Sequence, residues 1–92
     1  MNESAFVERR EPDWKRMTQL CDKAENTPKA LSDDELSEFI RLYRNASRDL
    51  ATIRTQSANV DLTNFLNDMV GRAYGLLYRN RRRSLFQVLK DT

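Results

Sequence analysis

Histidine is absent from the chain, cysteine occurs once, and glycine and proline occur twice each. Without histidine, the commonest zinc ligand and the commonest general base are missing, and so is any triad that needs one. A single thiol, Cys21, cannot close an internal disulfide, so the fold is not a disulfide scaffold. Two glycines and two prolines cannot punctuate the turns of a seven-stranded domain. No apolar run approaches the roughly 20 residues of a transmembrane helix. The opening stretch MNESAFVERRE lacks the apolar centre of a secretory signal. No internal repeat, low-complexity tract or interdomain linker is visible. A charged, cysteine-poor chain of this kind is expected in the cytosol.

What remains is a short, highly charged chain. Its 92 residues allow one small domain. Charged residues make up 33% and apolar residues 39%, above and somewhat below the usual globular shares. The net charge of +2 hides a division. Residues 1–70 carry 10 basic and 13 acidic side chains, a balance of −3. Residues 71–92 carry six basic and one acidic, a balance of +5.

The apolar spacing predicts helices. Met1 to Arg10 reads as a short leading helix with Phe6 as its main apolar residue. Pro12 fits best in a first helical turn, so a helix is expected from Pro12 to about Glu25. Trp14, Met17, Cys21 and Ala24 mark one face of it, widened by Leu20. Asn26-Thr27-Pro28 should end it. Ser32 and Glu35 form a capping box, Leu31 and Leu36 occupy the staple positions, and Asp33 and Asp34 suit the positive end of the helix dipole. A second helix should therefore cover about 33–56, with Leu36, Phe39, Ile40, Tyr43, Ser47, Leu50 and Ile53 on one side.

Asp61 is the expected N-cap of a third helix over 61–80, with Val60 and Phe65 as its staple. Leu62, Phe65, Leu66, Met69, Val70, Ala73, Leu76 and Leu77 form its main stripe. Asn67, Gly71, Tyr74 and Tyr78 form a second stripe, where Gly71 would admit a close neighbour. The Trp14 helix should cover either the groove between the other two or this tyrosine face. The expected fold is all-α: an antiparallel three-helix bundle over 1–78, with a short leading helix and a basic amphipathic C-terminal segment over 79–92. Its thin core would be only marginally stable alone.

Catalytic chemistry finds little support in these residues. Cys21 sits on an apolar helical face with no histidine to activate it, which suits a buried structural thiol. Asp33 and Asp34 are explained by capping, and Gly71 and Gly75 fall inside a helical pattern and form no phosphate loop. The chain is expected to be no enzyme and to take no metal or cofactor. Asp49 and Arg72 are expected to pair across the second and third helices, which would fix their register; the alternative is that both bend to solvent. Arg41 and Arg48, with Arg44 at the border, offer an outer face for an acidic partner or a solvated surface.

The main functional signal is the run Arg79, Arg81, Arg82 and Arg83, followed by Leu85, Phe86, Val88 and Leu89. Basic residues beside a short apolar helix suit an interface with anionic lipid headgroups. The same run could neutralise nucleic-acid phosphates, although it has no cluster of stacking aromatics. It could also be a solvated helix end, where cations favour the dipole. A homodimer burying Tyr74 and Tyr78 is a further reading.

One resemblance emerges from the ordered fragments Phe6-Val7-Glu8-Arg9-Arg10, Trp14, Leu42-Tyr43-Arg44, Arg48-Asp49-Leu50-Ala51, Leu66-Asn67, Val70-Gly71-Arg72-Ala73-Tyr74 and Leu77-Tyr78. Over about residues 6–90 the chain resembles the N-terminal soluble region of stage II sporulation protein M-like integral membrane proteins. Family members often have histidine where Tyr74 stands, so no role of that imidazole carries over. The resemblance implies cytosolic helices that lead through a basic amphipathic turn into transmembrane helices, with residues 79–92 at the membrane approach. It implies that the chain is a fragment of a multi-span protein and sits at the cytoplasmic face of the cell membrane. It further implies a scaffold or adaptor role in forespore engulfment and cell-wall remodelling. In non-sporulating hosts it implies membrane partnership with MoxR-type ATPases and von Willebrand factor A-type proteins.

Overall fold

The computed structural model describes residues 2–26 and 31–90, with residues 79–90 described by their helical backbone. It contains three helices, α1 (Glu3–Asn26), α2 (Asp33–Gln56) and α3 (Val60–Lys90), each in contact with the other two. Ion pairs from Arg10 to Asp49, Arg16 to Glu38 and Lys23 to Glu35 climb α1 while descending α2, so these helices are antiparallel. Trp14 against Phe65, and Arg72 against Asp22 and Glu25, set α1 parallel to α3. The all-α three-helix bundle is the observed architecture.

The start of α2 follows the sequence expectation. The Glu35 backbone N–H donates to Ser32 Oγ at 3.2 Å, and the Ser32 N–H donates to Glu35 Oε1 at 3.1 Å. Leu31 is buried and Leu36 packs against the core. The start of α3 differs: Asn59, rather than Asp61, is the cap. Its Oδ1 accepts from the Leu62 N–H at 3.0 Å and its carbonyl from the Thr63 N–H at 3.1 Å. With the helix beginning at Val60, Asp61 falls in the first turn. Val60 and Phe65 are exposed, so the second staple does not form.

The leading helix and the Trp14 helix are one element. Pro12 lies inside α1 rather than in its first turn. Proline in a helix interior removes one backbone donor and costs about 3 kcal/mol. Contacts on both sides of it hold the helix together. Asn2 caps the start by accepting from the Ala5 N–H at 3.1 Å. Glu3 is fastened to Ser57 and Asn59 in the α2–α3 connection. Phe6 and Trp14, both buried, stand 6.2 Å apart on either side of the proline.

The core comprises Phe6, Trp14, Met17, Leu20 and Cys21 from α1, Leu31, and Phe39, Leu42, Ala46, Leu50 and Ile53 from α2. Leu66, Met69, Ala73 and Leu76 of α3 complete it. The α2 stripe is therefore turned from the expected one. Leu42, Ala46 and Asp49 are inside, while Ile40 is exposed and Ser47 is half-buried. The physical reason is α1: it packs against the Leu42–Asp49 side, so α2 serves two neighbours. On α3, α1 takes the groove and leaves Asn67, Gly71, Tyr74 and Tyr78 exposed. A Cβ at Gly71 would meet nothing within 4 Å, so no neighbour makes a close approach there.

Candidate functional site

Asp49 is the buried charged residue among those described, with 7% of its surface exposed. It does not meet Arg72. Its Oδ2 accepts from Arg10 Nε at 2.9 Å and from Trp14 Nε1 at 2.9 Å. Arg10 and Trp14 stand one turn apart on the continuous α1, which brings both donors to α2. Arg72 instead reaches the far end of α1. Its Nε and Nη2 donate to the Glu25 carboxylate at 2.6 and 2.7 Å, and Nη2 also donates to Asp22. Comparing α2 with α3 alone cannot reveal either partner, because both come from α1. The hydrogen bonds to Glu25 and Asp22 hold the Arg72 guanidinium well above its ordinary pKa.

Around Asp49 lies a groove of about 630 Å³ between the first turns of α1 and the last turns of α2. Asn2, Ala5, Phe6, Arg9 and Arg10 line one wall, and Asn45, Arg48, Asp49 and Thr52 the other. The Arg9 guanidinium stands 5.8 Å from the Phe6 ring centroid, within cation–π range. Arg10 is tied to Asp49 and, through Nη1, to Asp13 at 3.0 Å, while its Nη2 is buried without an acceptor. Burial disfavours the Arg10 cation, but the hydrogen bond and charge of Asp49, with Asp13, outweigh it and raise its pKa.

Arg9 and Arg48 form no ion pair among the described residues. Sequence reasoning placed Arg48 beside Arg41 and Arg44. On the regular α2 that spacing is kept, and Arg48 also lines the groove whose other wall carries Arg9 and Arg10, while Arg41 and Arg44 do not line it. The available signal was a pair of donor sets: Asn2 before α1 with Arg9 and Arg10 on it, and Asn45, Arg48 and Thr52 at spacings of 3 and 4 on α2.

A second groove of about 590 Å³ lies between α1 and the start of α3. Val7, Trp14, Leu62 and Phe65 give it an apolar floor. Cys21 is buried in the core, and desolvation pushes its thiol up to about 11. A nucleophile needs the thiolate, so this thiol is poorly suited to that role. No cluster of three or more histidine, cysteine, aspartate or glutamate residues that could hold a metal occurs among the described residues. Nor is any helix there long and apolar enough to cross a membrane.

Tyr74 and Tyr78 stack with centroids 6.4 Å apart and are exposed on the outer face of α3. Beyond them α3 continues without a break to Lys90. The side chains of Arg79, Arg81, Arg82, Arg83, Leu85, Phe86 and Leu89 lie outside the described residues, although their positions are on this helix.

No curated protein and no solved structure matches the chain. A family model covers residues 4–79, from the first turn of α1 to the beginning of the arginine run, and the chain belongs to this family, described as "Domain of unknown function (DUF8413)".

Proposed function

We propose that the chain is a non-enzymatic helical interaction domain, placed beside an anionic membrane surface by the last turns of α3. The supporting observation is the unbroken course of α3 to Lys90. At 31 residues against 24 for each partner, α3 is about 10 Å longer than either. The Arg79–Arg83 positions thus stand on a helical extension continuous with the packed bundle. Each basic residue held near an anionic leaflet contributes about 1 kcal/mol. On this reading, and in keeping with the resemblance stated above, the domain is the cytosolic scaffold of a multi-span protein of the cell envelope. Its protein partner would be a MoxR-type ATPase or another envelope component.

Flotation with liposomes of neutral lipid, and of neutral lipid with anionic lipid, tests the placement. The chain should float only with the anionic lipid, and Arg81→Glu/Arg82→Glu should abolish flotation. Unchanged flotation of that variant removes the role assigned to the run. Salt-sensitive binding to random duplex or single-stranded nucleic acid, without flotation, would replace it with a nucleic-acid module.

The stacked, exposed Tyr74 and Tyr78 favour a second reading, a homodimer through the outer face of α3. Tyrosine suits interfaces because its ring is apolar and its hydroxyl polar. Gly71 and Gly75 leave this face open to a close neighbour. Sedimentation at several concentrations should show a dimer that Tyr74→Ala/Tyr78→Ala disperses; a monomer throughout rejects the reading.

A further inference from the structure

We infer that the groove lined by Arg9, Arg10, Arg48, Asn2 and Asn45 is a binding site for a soluble organic phosphate.

The argument begins with charge. Three guanidiniums and one carboxylate line the groove. Asp49 is committed to Arg10 and Trp14, so those charges compensate each other. Arg9 and Arg48 are left without carboxylate partners among the described residues. One such cation comes from each wall, Arg9 from α1 and Arg48 from α2, a balance that suits a dianion.

The remaining polar groups point to the same chemistry. Asn2 uses its Oδ1 to cap α1, which leaves its amide N–H groups as donors. Asn45 contributes another amide from α2. A phosphate monoester offers three terminal oxygens and close to two negative charges. Arginine matches it through paired N–H donors, whereas a single carboxylate has one charge and two oxygens. The groove, at about 630 Å³, has room for the organic part beside the Phe6 ring.

Position separates this site from the membrane extension. The groove sits where α1 begins and α2 ends, beside the Ser57–Asn59 connection that Glu3 fastens. The extension leaves the other end, with Arg79 about 28 Å along the α3 axis from Val60. Groove and extension lie at opposite ends of the bundle, so pyrophosphate binding and liposome flotation are separate readings, and loss of one leaves the other standing.

Titration of the full chain with inorganic pyrophosphate, at fixed ionic strength, tests the site. Binding should saturate at one pyrophosphate per chain. Arg48→Ala and Arg9→Gln should each weaken it about tenfold, the scale of one lost charge-assisted contact. Arg41→Ala removes the same charge from α2 outside the groove and should weaken it less than about twofold. Citrate should bind more weakly than pyrophosphate. Circular dichroism of each variant checks that the helices persist, and the two groove variants give independent readings. Lack of saturation by about 10 mM pyrophosphate overturns the inference. So does an equal loss in Arg41→Ala, which would mark general charge attraction, or equal affinity for citrate.

Discussion

Asp49 with Arg10, and Asp22 and Glu25 with Arg72, are two acid–arginine clusters that join α1 to a neighbour. The first lies inside the bundle, and its carboxylate also receives the Trp14 indole N–H. The second lies on the surface, where the Arg72 side chain is 34% exposed and Asp22 59%. The outer contacts are no longer than the inner ones, so burial, not distance, sets their consequences. Removing one partner of a buried pair strands the other away from water, whereas surface partners are rehydrated. The inner cluster should fix how α1 lies on α2. The outer one should trim stability and respond to salt.

The largest expected effect tests this difference directly. Asp49→Ala should lower unfolding free energy by about 3–5 kcal/mol, because it leaves the Arg10 and Trp14 donors unmet. Urea denaturation measures it, and a loss below about 1 kcal/mol would place the two clusters on the same footing. Coupling is the next test. Asp49→Ala and Arg10→Ala should be non-additive by about 0.5–3 kcal/mol, while Asp49→Ala and Arg72→Ala, which share no partner, should add within about 0.5 kcal/mol. Strong coupling of Asp49 to Arg72 would restore the pairing that the sequence suggested and the structure replaces.

That misassignment comes from matching α2 with α3 alone and, for Arg10, from Pro12. Capping chemistry is local, so Ser32, Glu35 and the extent of α2 could be read from adjacent residues. The continuity of α1 could not. Proline weakens the helix locally, and the compensation comes from Phe6, Trp14 and the Glu3 contacts, some more than 50 residues away in sequence. Once α1 is divided in thought, Arg10 is assigned to a leading helix and its link to Asp49 disappears. The groove disappears with it, since its walls are residues 2–10 and 45–52. A helical wheel for α2 also treats the core as one direction. Two neighbours pull it in two, so Leu42 and Ala46 enter the core and Ile40 leaves it.

Smaller effects sharpen the comparison from the surface side. Ser32→Ala should cost about 1 kcal/mol by freeing the Glu35 N–H at the start of α2. Thermal unfolding at constant pH would show it, and an unchanged midpoint would mean that α2 is held by packing alone. Arg72→Ala should cost about 1 kcal/mol or less, and its difference from wild type should shrink as salt is raised. A larger, salt-insensitive loss would show that the outer cluster behaves like the inner one.

The least effect is expected at Glu35, where a surface ion pair and a helix cap meet. Its carboxylate accepts from Lys23 Nζ at 2.6 Å and from the Ser32 backbone N–H. The Lys23 hydrogen bond, followed by those with Ser32, holds its pKa down at about 2, against an ordinary 4.5. The folded state therefore releases this proton more readily than the unfolded chain. Its stabilising contribution is present above about pH 4.5 and is lost as pH falls through about 2. Glu35→Gln removes the titration while retaining a polar side chain at the cap. The stability gap between wild type and this variant, measured by urea at pH 6, 4 and 2, should narrow toward the acid end. A gap that stays constant would mean that the neutral hydrogen bond to Ser32 does the same work as the charged one. The start of α2 would then be as insensitive to acid as an uncharged cap.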